Sequence, residues 1–220
     1  MHYDAASRPS SLRHDPFKAL VAPRPIGWVS TLGPDGVANL APYSFFNAIS
    51  DVPPILMFSS AGTKDSLRNI ERSGEFTCSL ATWQLRDAVN MSSATVAPQV
   101  DEFVLAGLTP AASRFVAPAR VAESPAAFEC RLWKILPLPA LPGRTGYTLV
   151  IGSVVGIYID DDFIEDGLVR TGAMQPISRL GYMDYAVLQP QSMFTMKRPK
   201  VDDDGLSAHV EAAPWDGVYR

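Results

Sequence analysis

The feature that most constrains this chain is the stretch from Pro23 to Ser50, which combines a hairpin signature with an abrupt break. Ile26 to Leu32 is rich in β-branched and aromatic residues and predicts a strand. The sequence Gly-Pro-Asp-Gly at 33–36 predicts a turn, because proline presets φ and glycine accepts a positive φ. Val37 to Leu40 predicts the second strand of a hairpin, which Ala41-Pro42 should end because proline has no donor for a sheet ladder.

The residues after this break, Tyr-Ser-Phe-Phe-Asn at 43–47, interleave small, polar and aromatic side chains. A chain that leaves a strand in this way can expose backbone N–H groups to a planar polar ligand. The alternative is a hairpin followed by an irregular edge that binds nothing. The residues of this stretch leave both interpretations open.

A second candidate site follows the short apolar run Ile55 to Phe58, which predicts a buried strand. Thr63 to Ser73 predicts a helix that Thr63 or Asp65 caps and Gly74 ends. The connecting sequence SSAGTKDS brings hydroxyls, a glycine and Lys64 to the helix N-terminus, where free N–H groups attract phosphate. Ordinary helix capping is the alternative explanation. The spacing of a P-loop is absent.

Composition limits the classes of function that are open to the chain. Its 220 residues allow one or at most two domains, and its 47% apolar content is enough for a hydrophobic core. A net charge of −4 and a pI near 5.3 argue against nucleic-acid binding. No apolar run reaches the roughly 18 residues of a membrane helix, and the N-terminus lacks the apolar core of a signal peptide, so we expect a cytoplasmic protein without membrane contact.

Two long strands are predicted in the second half of the chain. In Ala127 to Leu136 the apolar residues alternate with Glu129 and Arg131, which we interpret as a solvated ladder or a dimer contact. Tyr147 to Ile159 is apolar on both sides, so one face can fill a barrel and the other a homodimer interface. Gly152 and Gly156 interrupt it and predict a bend or a close backbone approach.

Cysteine and histidine give no sign of a redox or metal centre. Cys78 and Cys130 lie in separate strand-like runs without CxxC spacing, which predicts buried thiols. The three histidines are scattered towards the termini, so we predict no metal site.

Seven motifs, in order along the chain, carry a resemblance to a known family. They are PRPIGWVST from Pro23, NLAPYSFFN from Asn39, VPPI from Val52, KDSLRNI from Lys64, VDEFVLAGLT from Val100, ESPAAFECRL from Glu123 and RLGYMDY from Arg179. Over about Pro16 to Arg198 the chain resembles the flavin reductase-like family, in the branch that holds reductase components of two-component monooxygenases, such as nitrilotriacetate monooxygenase component B.

The resemblance implies a mainly β fold, an FMN-binding split β-barrel with a few peripheral helices. It implies an arm at 1–15, the split-barrel domain at 16–198 and a tail at 199–220. Backbone groups between Asn39 and Asn47 would bind the flavin ring, and the serines and helix start near Lys64 would bind the FMN phosphate. The expected cofactor-binding residues are Asn39, Ala41, Pro42, Ser44, Phe45, Asn47, Ser59, Ser60, Thr63, Lys64, Asp65, Ser66 and Arg179. Glu102-Phe103 and Leu105 to Leu108 would lie near the flavin, and no catalytic residue is assigned.

The function that the resemblance implies is NAD(P)H-dependent reduction of FMN, with NADH or NADPH as a transient hydride donor. Reduced flavin would then pass to a partner monooxygenase. Relatives often carry a histidine near the start of the strand at Tyr147 and a Gly-Glu pair within it, whereas this chain has Tyr147-Thr148 and Gly152-Ser153. This departure keeps a second function open, an FMN-binding electron carrier without significant nicotinamide oxidation. A structural dimer without a cofactor is a third.

Overall fold

The computed structural model of the chain describes residues 1–210 and 214–215. The strands are β1 (Arg24–Pro25), β2 (Gly27–Leu32), β3 (Ala38–Tyr43), β4 (Phe46–Asp51), β5 (Pro54–Ala61), β6 (Glu75–Leu80), β7 (Pro110–Ala111), β8 (Arg120–Val121), β9 (Ala126–Pro137), β10 (Tyr147–Ile159), β11 (Ile164–Glu165), β12 (Leu168–Val169), β13 (Ile177–Arg179), β14 (Tyr185–Val187), β15 (Lys200–Val201) and β16 (Ala208–His209). The helices are α1 (Phe17–Leu20), α2 (Asp65–Ser73), α3 (Arg86–Met91), α4 (Glu102–Leu105) and α5 (Thr171–Met174), with 3-10 turns at Asp161–Phe163 and Pro190–Ser192. The predicted mainly β architecture is confirmed.

Seven strands form one antiparallel sheet in the order β3-β2-β6-β9-β10-β5-β4. Its two edge strands, β3 and β4, are joined by only Ser44 and Phe45. Three backbone steps separate Tyr43 from Phe46 and span at most about 11 Å, so the sheet must curl until its edges meet at this corner. The edges do not pair with each other, and the result is a barrel that is split between β3 and β4.

The edge position of β3 corrects the predicted end of the hairpin. We expected Pro42 to end the strand after Leu40, but β3 continues to Tyr43, with Pro42 opposite Trp28. The proline is tolerated because β3 has a neighbour on one side only, so the missing N–H breaks no ladder.

Buried apolar side chains fill the barrel and a second core beside it. The first cluster includes Val29, Phe58, Phe76, Cys78 and Cys130, and the second includes Trp28 and Phe103. Both thiols are buried as predicted, and burial raises the pKa of Cys78 to about 12. None of the described helices is long and apolar enough to cross a membrane.

The strand from Tyr147 to Ile159 is confirmed, and its two glycines serve close packing. A Cβ atom on Gly152 would lie 2.5 Å from the Phe76 ring, and one on Gly156 would lie 2.5 Å from the Phe115 ring. Val155 and Ile157 are exposed on the outer face of β10, as is Trp133 on β9. The homodimer stays a prediction.

The interpretation of Glu129 as a solvated or interface residue is wrong. Glu129 is 5% exposed, and its carboxylate accepts hydrogen bonds from the backbone N–H groups of Arg114 (2.9 Å) and Phe115 (2.5 Å). The loop before β8 folds over this strand, which a period-two pattern within one strand cannot reveal.

The chain termini carry little regular structure. Residues 1–15 contain turns without a helix or strand, and the described part of the predicted tail contains the short hairpin of β15 and β16. Residues 211–213 and 216–220 of that tail lie outside the described residues. The domain limits at 16 and 198 stay predictions.

Candidate functional site

Three adjoining cavities follow the free edge of β3 and form one cleft. The corner cavity, about 210 Å³, lies at the β3–β4 corner and is lined by Ala41 to Phe45, Lys18, Ser59, Ala61, Lys64, Ser93 and Tyr147. The helix cavity, about 280 Å³, lies at the start of α2, where Asn39, Tyr43, residues 63–66 and Glu102 line it together with residues 92–96. The arginine cavity, about 260 Å³, lies on the other side of the corner and is lined by Lys18, Arg24, Pro42, Ser44, Ser93 and Arg179 together with Tyr182 and Tyr185.

The N-terminus of α2 lacks a side-chain cap. The N-cap residue is Lys64, in an extended conformation, so the prediction that Thr63 or Asp65 caps the helix is wrong. The Asp65 carboxylate instead accepts a hydrogen bond from Arg68, and the Thr63 carbonyl accepts another from the same guanidinium at 2.8 Å. The first-turn amides of a helix have no intrahelical acceptor. The first turn of α2 therefore presents amides without a side-chain acceptor to the helix cavity.

Asn39 holds three elements of the site together. Its Oδ1 accepts hydrogen bonds from the hydroxyls of Ser66 (2.7 Å) and Thr31 (3.2 Å), and its Nδ2 donates to both carboxylate oxygens of Glu102 at 3.1 Å. The hydrogen-bonding capacity of the amide is therefore largely used within the protein. Asn39 positions α2 and α4 against β3, and its side chain is not free to serve as a donor to a ligand.

Glu102 is a site residue that no single-residue signal in the sequence marked. It is 5% exposed at the start of α4, where the Asp101 side chain accepts a hydrogen bond from the Phe103 N–H at 2.8 Å. Its carboxylate accepts the Leu40 N–H at 3.0 Å. Burial raises the pKa of Glu102, and the hydrogen bonds from Leu40 and Asn39 oppose that shift. Only the motif around Val100 to Thr109 pointed to this segment.

Two buried hydroxyls in the cleft have no hydrogen-bond partner among the described residues. They are the phenol oxygen of Tyr43 and the Oγ of Ser59. Tyr43 is 7% exposed, and its ring packs against Phe58 with 4.5 Å between the ring centroids. Burial raises the pKa of Tyr43, while the nearby hydroxyls of Ser66 and Ser60 act in the opposite direction. Buried polar atoms are nearly always hydrogen-bonded, so these two hydroxyls are exceptions among the described residues.

Most residues predicted for the site line the cleft. Ala41, Pro42, Ser44, Phe45, Ser59 and Lys64 line the corner cavity, Asn39, Thr63, Asp65 and Ser66 line the helix cavity, and Arg179 lines the arginine cavity. Two predicted residues lie outside these linings. Ser60 is fully buried and donates to the Gly62 carbonyl at 3.3 Å, and Asn47 on β4 is exposed, where its side chain accepts its neighbour's N–H.

Beside Glu102 and Tyr43, the cleft contains Lys18, Arg24 and Ser93, which sequence reasoning did not assign to the site. Ser93 lines all three cavities, although it follows the end of α3 in a polar loop. No group of three histidine, cysteine, aspartate or glutamate residues suited to a metal ion occurs in 1–210 and 214–215.

Comparison with known proteins places this fold and cleft in a family. The profile of the flavin reductase like domain matches residues 20–178. An uncharacterized protein of Aquifex aeolicus is 36% identical over 168 residues, which are 74% of this chain and 83% of that protein.

Two solved structures extend the comparison. Nitrilotriacetate monooxygenase component B from Bacillus cereus has a TM-score of 0.80 at 30% identity, covering 89% of this chain and 98% of that one. A protein with a split barrel domain from Shewanella frigidimarina has a TM-score of 0.76 at 20% identity, and the match covers 90% of this chain and 100% of that one. This similarity supports the predicted split-barrel fold. The chain therefore belongs to the flavin reductase-like family, as its motifs predicted.

Proposed function

We propose that this protein binds FMN in the cleft beside β3 and catalyses its reduction by NADH or NADPH, supplying reduced flavin to a partner monooxygenase. The observation that carries the proposal is the cleft itself. An uncapped helix start, a lysine and two unpartnered buried hydroxyls converge there on one strand edge. Family membership and the similarity to nitrilotriacetate monooxygenase component B support the same function.

The residues of the cleft fit FMN in two parts. The helix cavity suits the phosphate, because the first turn of α2 offers free amides and Lys64 adds a positive charge. The corner cavity suits the flavin ring, because the backbone from Ala41 to Phe45 runs along an open edge beside the aromatic ring of Tyr147. Tyr43 lines both cavities, and its buried hydroxyl has no hydrogen-bond partner among the described residues.

Bound FMN would supply the redox chemistry, since it accepts a hydride from reduced nicotinamide and passes electrons onward. The protein's contribution is to bind and orient. The Glu102 carboxylate accepts hydrogen bonds from the Asn39 side chain and the Leu40 N–H. These two side chains therefore fix the edge of β3 rather than exchange protons with a substrate. The rings of Phe45 and Tyr147, whose centroids lie 5.7 Å apart, both line the corner cavity.

The proposal includes a homodimer and a cytoplasmic location. The exposed apolar residues on the outer faces of β9 and β10 would be buried by a second copy, and the twofold dimer is the commonest closed assembly. Both cysteines are free thiols, as expected in a reducing compartment. Light scattering should give about twice 23.9 kDa, and a monomer would contradict this part of the proposal.

The deciding experiment combines a visible spectrum with nucleotide oxidation. Purified protein loaded with FMN should lose its flavin absorbance when NADH or NADPH is added without oxygen, and added FMN should sustain nucleotide oxidation in air. If neither nucleotide bleaches the bound flavin although dithionite does, the reductase proposal fails. An electron-carrier function would then explain the family membership.

A further inference from the structure

The arginine cavity lies on the side of the corner opposite to α2 and contains three positive side chains. Lys18 is exposed at its rim, while Arg24 is 6% exposed and Arg179 is half-buried. No aspartate or glutamate lines the cavity, and none of the three cations takes part in an ion pair within the described part of the chain.

Arg24 and Arg179 are direct cross-strand partners in the pairing of β1 with β13. Like charges placed directly opposite each other destabilise a sheet. The repulsion acts together with burial to lower the pKa of Arg24. Stabilising the pairing of β1 with β13 therefore does not explain why two guanidiniums lie opposite each other.

The partners of both guanidiniums are neutral. Arg24 donates to the backbone carbonyls of Lys18, Val21 and Leu180, and its Nε has no partner. Arg179 donates to the Tyr182 carbonyl and rests on the Tyr185 ring at 4.5 Å from the centroid. Carbonyls and a ring orient the two cations but do not neutralise them. The uncompensated charge therefore favours an anion in the cavity.

The order of the cavities identifies which anion fits. The arginine cavity shares Lys18, Pro42, Ser44 and Ser93 with the corner cavity, which in turn shares Tyr43 and Lys64 with the helix cavity. The arginine cavity and the helix cavity thus both adjoin the proposed ring site, and Ser93 is the one lining residue that they share. FMN has a single phosphate, and the start of α2 accounts for it.

A further cavity continues the cleft beyond the arginines. It measures about 360 Å³, shares Tyr185 with the arginine cavity and is lined mainly by apolar side chains, including Val89, Ile177 and Val187. At its edge the Trp83 ring is 46% exposed, with the Arg86 guanidinium 4.1 Å from the ring centroid. An apolar slot beside an accessible indole suits a flat aromatic base.

We propose that Arg179, Arg24 and Lys18 bind the diphosphate of the nicotinamide dinucleotide, and that the Trp83 cavity takes its adenosine. The dinucleotide has the order nicotinamide, diphosphate, adenine. With the nicotinamide stacked on the flavin ring at the corner, the arginine and Trp83 cavities follow in the same order. This inference rests on the proposed function and adds to it the binding site of the hydride donor.

The test uses Arg179→Gln, because Arg24 also ties α1 to the barrel and its loss would disturb the fold. Arg170→Gln is the matched control, since Arg170 is exposed, pairs with Glu165 and lines none of these cavities. ADP-ribose carries the diphosphate and adenosine but no hydride. Calorimetric titration of ADP-ribose into FMN-saturated protein should show binding that Arg179→Gln weakens about tenfold or more, while Arg170→Gln leaves it unchanged. Lys18→Gln should weaken it by a smaller factor.

Kinetics supply a second measurement. 1-Benzyl-1,4-dihydronicotinamide is a hydride donor without phosphate. The factor by which Arg179→Gln raises the KM for NADH should be about ten times the factor by which it slows reduction by this donor. Equal losses with both donors, or unchanged ADP-ribose affinity in the variant, would overturn the inference. So would a loss of FMN affinity without a loss of riboflavin affinity, because Arg179 would then bind the flavin phosphate.

The two proposals fail in different ways. If the wild-type protein binds ADP-ribose through Arg179 but NADH and NADPH leave the flavin oxidised, the dinucleotide site stands and the reductase function falls. If NADH reduces the flavin but the wild-type protein has no affinity for ADP-ribose, the reductase function stands and the diphosphate site is refuted.

Discussion

Replacing Tyr43 with phenylalanine separates a ligand contact from a structural hydroxyl. The Tyr43 hydroxyl is buried without a hydrogen-bond partner in the protein alone, and such a group costs roughly 1–3 kcal/mol of desolvation. Its removal leaves the packing of the ring against Phe58 intact. We therefore expect Tyr43→Phe to raise the free energy of unfolding of the flavin-free protein by about 1 kcal/mol. For a chain of 220 residues this corresponds to a rise in Tm of about 2–4 °C.

The same variant should bind FMN less tightly. A neutral hydrogen bond contributes roughly 0.5–1.5 kcal/mol, so the FMN Kd should rise by a factor of about three to ten. Stability and affinity thus move in opposite directions, whereas a structural hydroxyl would move them together. Thermal unfolding of the flavin-free protein and quenching of flavin fluorescence measure the two effects.

Tyr158→Phe is the matched control, because Tyr158 is half-buried on β10, lines none of the cleft cavities and carries Arg120 over its ring. It should change neither Tm nor FMN affinity. The reasoning is refuted if Tyr43→Phe lowers the stability of the flavin-free protein, or if FMN affinity stays at the wild-type value.

Three further predictions test the phosphate site, the buried carboxylate and the barrel packing. Lys64→Ala should weaken FMN about fivefold to tenfold and riboflavin hardly at all, with the exposed Lys134→Ala as control, and equal losses for both ligands would contradict a phosphate contact. Burial raises the pKa of Glu102 above the usual value of 4.5. The contribution of Glu102 to stability is therefore complete below about pH 4.5 and is lost as the pH rises through the raised pKa. The free energy of unfolding of the wild-type protein, measured in urea, should therefore decline from about pH 4 to about pH 8, and Glu102→Gln should make this decline smaller. Parallel curves of stability against pH for the two proteins would refute the prediction. Gly152→Ala should cost about 1–3 kcal/mol because its Cβ would lie 2.5 Å from Phe76, whereas Gly146→Ala, with 3.4 Å of clearance, should be nearly neutral in the same measurement.

The sequence predicts local elements well where one periodic pattern dominates. The limits of the long strand Tyr147–Ile159 agree with the prediction, because its apolar run has no competing signal. The end of β3 was misjudged because the effect of Pro42 depends on whether the strand is central or at an edge. That distinction belongs to the whole sheet and is not present in the strand's own residues.

Capping and burial of charge were predicted less well for a related reason. Asp65 and Thr63 are both suitable caps by residue type, yet the Asp65 carboxylate pairs with Arg68 and the N-cap position falls on Lys64. Glu129 has the alternation of a solvent-facing residue, but a loop from elsewhere in the chain covers it with two amide donors. In both cases a tertiary partner overrides the local preference, and no pattern within a few residues contains that partner.

The cleft illustrates how far motif recognition reaches. The motifs located the residues at the β3–β4 corner and at the start of α2, because each motif is contiguous in sequence. The opposition of Arg24 and Arg179 arises only from the register of β1 against β13. The resemblance named Arg179 but not Arg24 as a cofactor-binding residue, and the charge that the pair concentrates becomes evident only when the fold brings the two strands together.

At the start of β10 this chain has Tyr147 near the point where relatives often have a histidine, and the structure shows what surrounds this residue. Tyr147 lines the corner cavity with its ring 5.7 Å from Phe45. An aromatic ring keeps the shape of the cavity but removes a group that titrates near neutral pH. In this chain the positive charge beside the corner comes instead from Lys18, Arg24 and Arg179, which line the adjoining arginine cavity. Donor binding in this chain should therefore depend on these three cations rather than on the side chain at the start of β10.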